Sequence, residues 1–220
     1  MGDVIADRVI PFFSIWVIPR STIRRVVDTE PDSLVIGIAW ILGALIALTI
    51  QVEVNAGVLK YQALDWFKEM GPAAMGMTVF SAGIAAIGMV YFLGFVYAWA
   101  GRVLGGLADA RDVRTAVAWG WVPAIILSLV AITSTLFDPG SNAWDKAPST
   151  ILDQITVWLI AEIALKVWAF LVSVQTLAEV HRFSAWRAVA TKGIGFLVVG
   201  FVGLGIFILM TSVSLVASMI

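Results

Sequence analysis

The sequence predicts an all-α polytopic membrane protein, with five transmembrane helices and a short N-terminal interfacial segment. Three observations lead there. Hydrophobic residues make up 60% of the 220 and charged residues 13%, about half the charged share of a typical soluble domain. Five apolar stretches recur along the chain, each long enough for a hydrocarbon core of about 30 Å, which takes roughly 20 helical residues. Basic residues gather in alternate connections between those stretches. Lipid supplies no hydrogen bonds to the backbone, so a spanning segment must pair its own polar groups and becomes a helix. Barrel strands are a poor alternative, being about 10 residues long and alternating in polarity.

The chain divides into an N-terminal cytoplasmic or interfacial segment, residues 1–33, and a five-helix transmembrane domain, residues 34–220. The first region mixes Asp3, Asp7, Arg8, Arg20, Arg24, Arg25, Asp28, Glu30 and Asp32 and lacks the long apolar core of a cleavable signal. Val4 to Val27 reads as amphipathic, with Phe12, Phe13, Ile15, Trp16, Val17 and Ile18 as its apolar body. Pro11 and Pro19 divide it, and a helix opens near Ser21. Aromatic anchors beside basic residues suit a segment lying at the membrane interface, where Arg20, Arg24 and Arg25 reach lipid phosphates. A short connector with topology-setting arginines is the plainer alternative.

The five spans run from about Leu34 to Val54, Ala73 to Ala100, Ala116 to Phe137, Ile155 to Ala178 and Gly193 to Met219. The second and fifth exceed the bilayer, so tilt or a kink is expected to absorb the excess. Pro123 falls inside the third, where it biases the preceding residue away from helix and predicts a kink. Between the first two spans, Val58, Leu59, Leu64, Trp66 and Phe67 among Lys60, Asp65, Lys68 and Glu69 suggest a short amphipathic piece. Asp138 to Asp153 reads as an irregular loop around Pro139, Gly140 and Pro148. Its carboxylates are too loosely spaced for a calcium loop.

Lys and Arg set orientation. Arg8, Arg20, Arg24 and Arg25, then Arg102, Arg111 and Arg114, then Arg182, Arg187 and Lys192 fall on one side; Lys60, Lys68 and Lys146 fall on the other. This predicts an integral membrane protein with a cytoplasmic N-terminus and the C-terminus on the opposite side.

Inside the spans the sharpest polar feature is Glu162 with Lys166, four residues apart on one helix face. Isolated ions at that depth are expensive, and a pair holding the bundle together is the preferred reading. The rival is a small-solute or ion transporter or channel with the two residues near its pathway. Gly101, Gly105, Gly200 and Gly203 are candidates for close helix packing, since small residues let backbones approach.

Much chemistry is excluded. Cysteine is absent, so thiol catalysis and disulfides are ruled out. His181 is the single histidine and lies at a helix edge beside Glu179 and Arg182, where a capping or interfacial role is expected. Neither a serine elbow nor a zinc helix appears, and the glycines from Gly101 to Gly106 lack the lysine of a phosphate loop. No catalytic residue, metal or cofactor is expected. A net charge of −1 and the lack of a basic stripe argue against nucleic acid.

Several pieces resemble the Yip-domain family of five-span membrane proteins, in its prokaryotic branch. They are Ile18-Pro19-Arg20-Ser21-Thr22-Ile23-Arg24-Arg25 with Asp28 to Pro31; Gly101-Arg102-Val103-Leu104-Gly105-Gly106; Asp112-Val113-Arg114-Thr115-Ala116 with Trp119 and Pro123; and Glu179-Val180-His181-Arg182-Phe183-Ser184 with Trp186-Arg187-Ala188. The resemblance implies five helices, a cytoplasmic N-terminus and a place in a prokaryotic cytoplasmic membrane. Eukaryotic members are linked to vesicle traffic and small GTPases through a long cytoplasmic N-terminal region, which is nearly absent here. The resemblance carries over no catalytic residues. The expected function is therefore structural or interactive: membrane organisation, or binding of lipid, a protein partner or a second copy. The candidate contact face for anionic lipid or partner comprises Arg20, Arg24, Arg25, Arg102, Arg111, Arg114, His181, Arg182 and Arg187.

Overall fold

The computed structural model describes residues 11–29, 34–56, 69–137 and 149–217, apart from the side chains of 137, 149–159, 161, 162 and 213–217. The amphipathic piece expected between the first two spans and the core of the 138–148 loop lie outside the described residues. A helical turn at 11–14 leads into α1, Pro19–Thr29. There follow α2, Val35–Asn55; α3, Pro72–Val103; α4, Ala110–Gly120; α5, Val122–Phe137; α6, Ser149–His181; and α7, Ala185–Ala217. No strand occurs among the described residues.

Among the described residues, five helical stretches are long and apolar enough to cross a membrane: Val35–Asn55, Pro72–Val103, Ala110–Leu136, Ile163–His181 and Ala185–Ser212. The third is two helices in series. α4 stops at Gly120 and α5 starts at Val122, with the amide of Trp121 donating to the carbonyl of Ala118 and that of Ala124 to Trp121. Pro123 sits in the first turn of α5, where its missing N–H has no helical partner to lose. The second span is unbroken: at 1.5 Å per residue the 32 residues of α3 are roughly 48 Å long. That exceeds a bilayer core of about 30 Å, so a straight α3 tilts or projects beyond it.

α2 packs along α3 and α5; α4 sits between α3 and α6; α7 packs against α3 and α6. Small residues allow the closest approach of α2 to α3. A Cβ on Gly43 would stand 2.5 Å from the Ala82 carbonyl oxygen, and one on Gly83 2.5 Å from the Trp40 ring. The core gathers around Val90, Val113, Ala116, Trp119, Val172, Leu177 and Ala188, with Ile15 and Ile23 closing it from the N-terminal segment. That segment is thus docked onto the bundle: Phe12 packs against Trp119 with ring centroids 4.7 Å apart.

The outer half of α7 stands away from its neighbours. Phe201, Leu204, Phe207, Ile208, Leu209 and Met210 are all exposed, so the helix shows apolar side chains on every face. Such a surface is far too apolar for water and suits lipid. It also corrects one expectation about packing. Gly200 and Gly203 meet nothing within 4 Å, whereas a Cβ on Gly195, nearer the start of α7, would press 2.0 Å from the Tyr97 ring.

Candidate functional site

The sequence pieces separated by most of the chain meet at one end of the bundle. α1 runs alongside the last turns of α6, so residues four apart on one helix face residues four apart on the other. Arg20 donates through Nε to the Gln175 side-chain oxygen. One turn later Arg24 donates through Nε to Glu179 Oε1 at 2.7 Å, and a second nitrogen of the same guanidinium closes on that oxygen. Arg24 is 68% exposed and Glu179 only 10%, so the arginine covers a largely desolvated carboxylate.

The end of α6 also clasps the connection between α3 and α4. His181 is fully buried, its ring stacked on Phe183 at 4.9 Å. Both sides of the ring's berth are glycine: a Cβ on Gly101 would lie 2.2 Å from Cε1, and one on Gly106 2.4 Å from Nδ1. The loop returns on itself there, the Gly106 amide donating to the Gly101 carbonyl at 2.7 Å. Between them Gly105 adopts φ of +85°, a region open to glycine and strained for other residues. The Leu107 amide then donates to the His181 carbonyl at 3.3 Å. Neither ring nitrogen has a hydrogen-bond partner among the described residues; the Tyr97 main chain approaches the ring without completing one. His181 therefore does not belong to the open contact face. It is a packing residue that locks the GRVLGG loop to α6.

α4 is started by Asp109, whose carboxylate accepts from the amides of Arg111 at 2.8 Å and Asp112 at 2.9 Å. The Thr176 hydroxyl donates to the Ala116 carbonyl at 3.1 Å within the core, tying α6 to α4. Arg114 lies partly inside the fold. Its guanidinium sits 4.8 Å over the Tyr91 ring and its stem packs where Gly94 leaves room. The remaining members of the predicted face, Arg20, Arg24, Arg25, Arg102, Arg111, Arg182 and Arg187, are exposed. Exposed apolar residues stand among them: Val103, Leu107 and Trp186. An aromatic and aliphatic rim interspersed with arginine is the composition expected at a membrane interface.

The other candidate pair lies elsewhere. Glu162 and Lys166 fall near the middle of α6, away from this end. The Glu162 side chain lies outside the described residues, and Lys166 is exposed alongside Ile163, Val167 and Phe170.

The Yip1 domain family model matches residues 13–207, from the docked N-terminal segment into α7. The chain belongs to the Yip1 domain family. Neither a curated protein nor a solved structure matches it. The matched span of the Yip1 domain includes every element of the basic end: α1, the α3–α4 loop, α4 and the α6–α7 junction.

Proposed function

We propose that this Yip1 domain protein is non-enzymatic and binds anionic lipid headgroups, or a partner presenting similar charge, through its basic end. That end faces the cytoplasm in this reading, and the N-terminus with it. One observation carries the proposal. Three distant basic pieces of sequence fold into a single platform whose arginines, Arg114 apart, are exposed, while the carboxylate of Glu179 is taken by Arg24 and that of Asp109 caps α4. Each arginine near an anionic surface contributes about 1 kcal/mol of attraction, and the exposed Trp186 and Leu107 supply interfacial anchors beside them.

The test is the lipid carried through purification. The wild type and a variant with Arg102, Arg111, Arg182 and Arg187 all changed to Gln are extracted in mild detergent, and the bound lipids are quantified. The proposal expects the anionic fraction to fall in the variant. An unchanged fraction contradicts the lipid reading.

A further inference from the structure

Between α1 and α6 lies a groove of about 480 Å³. Its lining is apolar for most of its length: Ile18 and Pro19 on one side, Trp168, Leu171 and Val172 on the other. At one edge the character changes to Arg20, Ser21 and Gln175. From Trp168 to Gln175 is seven residues of α6, roughly 10 Å along the helix axis. Within that distance the wall passes from an indole to a guanidinium.

From this polarity we infer that the groove is a binding site for one anionic glycerophospholipid, held by its phosphate at Arg20 and by an acyl chain along Trp168 and Leu171. The inference deepens the lipid reading above and rests on it; the groove shares Arg20 with the exposed platform, and its apolar walls lie beyond it. Complementarity selects the occupant. A small polar solute leaves the apolar walls uncovered, and an aliphatic chain alone leaves the guanidinium unused. Arg20 has five N–H donors and spends one on Gln175; its side chain remains exposed. The adjacent hydroxyl of Ser21 donates to the Ile18 carbonyl and still accepts. The nearby carboxylate, Glu179, is held by Arg24, so the groove mouth keeps a positive balance. The volume falls in the range of roughly 300–1,000 Å³ usual for ligand sites. The apolar end continues into the exposed, lipid-facing surface of α6 at Val167 and Phe170, so a tail enters from the bilayer without crossing water.

Native mass spectrometry of the detergent-solubilised full chain tests this by titrating phosphatidylglycerol. The variants are Arg20→Gln, which removes the charge, and Leu171→Trp, which fills the groove from an already exposed position. The platform variant Arg102, Arg111, Arg182 and Arg187→Gln serves as the comparison. The first tightly bound lipid is expected to weaken about fivefold in Arg20→Gln, the loss of one charge near an anionic group, and to disappear in Leu171→Trp. It persists in the platform variant. Glycerol phosphate, which has the head without the tails, does not compete. Equal first-lipid affinity in wild type, Arg20→Gln and Leu171→Trp overturns the groove; if the platform variant alone loses lipid, the broader reading survives that failure. Competition by glycerol phosphate overturns the lipid assignment. A dimer signal abolished by Leu171→Trp gives the groove to a second copy and overturns it too.

Discussion

A Cβ on Gly101 would lie 2.2 Å from Cε1 of His181, so these residues from α3 and α6 fit together only because one of them has no side chain. The contact joins two helices whose sequence positions are 80 apart. It predicts reciprocal behaviour in a mutant cycle. Gly101→Ala alone forces the ring aside and costs about 1–3 kcal/mol, the usual range for overpacking. His181→Ala alone opens a cavity and costs about 2–5 kcal/mol. The double variant costs less than the sum, since the new methyl occupies part of the vacated space. Thermal unfolding in detergent measures all three, and strict additivity counts against the contact.

Trp119 predicts a contrast between two replacements. The indole is buried under Phe12, and its Nε1 has no hydrogen-bond partner among the described residues. Trp119→Phe keeps an aromatic surface and removes an unpaired donor, so the expected loss is below about 1.5 kcal/mol. Trp119→Ala removes the surface as well and costs about 3–5 kcal/mol. Equal destabilisation of the two variants would mean that the N–H makes a bond worth keeping.

The Arg24–Glu179 pair holds α1 against α6, but an arginine 68% exposed is well screened by solvent. Arg24→Ala is therefore expected to lower stability by about 1 kcal/mol or less. The effect shrinks as salt rises. Limited proteolysis within α1 reads the same contact locally: cleavage after Arg25 accelerates in the variant at low salt. A loss of several kcal/mol, insensitive to salt, would contradict this picture of the pair.

Asp109 is the N-cap of α4, accepting from the first-turn amides of Arg111 and Asp112. Asp109→Ala is expected to cost about 0.5–2 kcal/mol, and Asp109→Asn, which keeps a capping oxygen, much less. Melting temperatures of the two variants separate the cap from the charge.

The bundle was readable from the sequence because its signal is redundant. Any twenty apolar residues in a row force a helix, and the span from Val35 to Asn55 differs from the expected Leu34–Val54 by one residue at each end. Pro123 marked the right region, though the break falls at Trp121, since a proline is tolerated in the first turn of the helix that follows it. The site was readable only in pieces. Arg24 and Glu179 are both plain in the sequence, but their partnership depends on α1 lying parallel to the end of α6, which no periodicity reveals. His181 looked like a surface residue because it stands among Glu179, Arg182 and Ser184. Its burial depends on glycines at Gly101 and Gly106 in a distant loop. Gly200 and Gly203 misled for the opposite reason: glycine permits a close approach but supplies no neighbour to make one.

In the proposed orientation the basic end faces the anionic cytoplasmic leaflet. The absence of native cysteine makes this directly measurable. Single cysteines are placed at Arg182, at the basic end, and at Glu69, just before α3 at the other end, and intact cells are treated with a membrane-impermeant maleimide. The proposed orientation predicts that Glu69→Cys is labelled from outside and Arg182→Cys only after permeabilisation. Labelling of Arg182→Cys in intact cells, with Glu69→Cys protected, would contradict it.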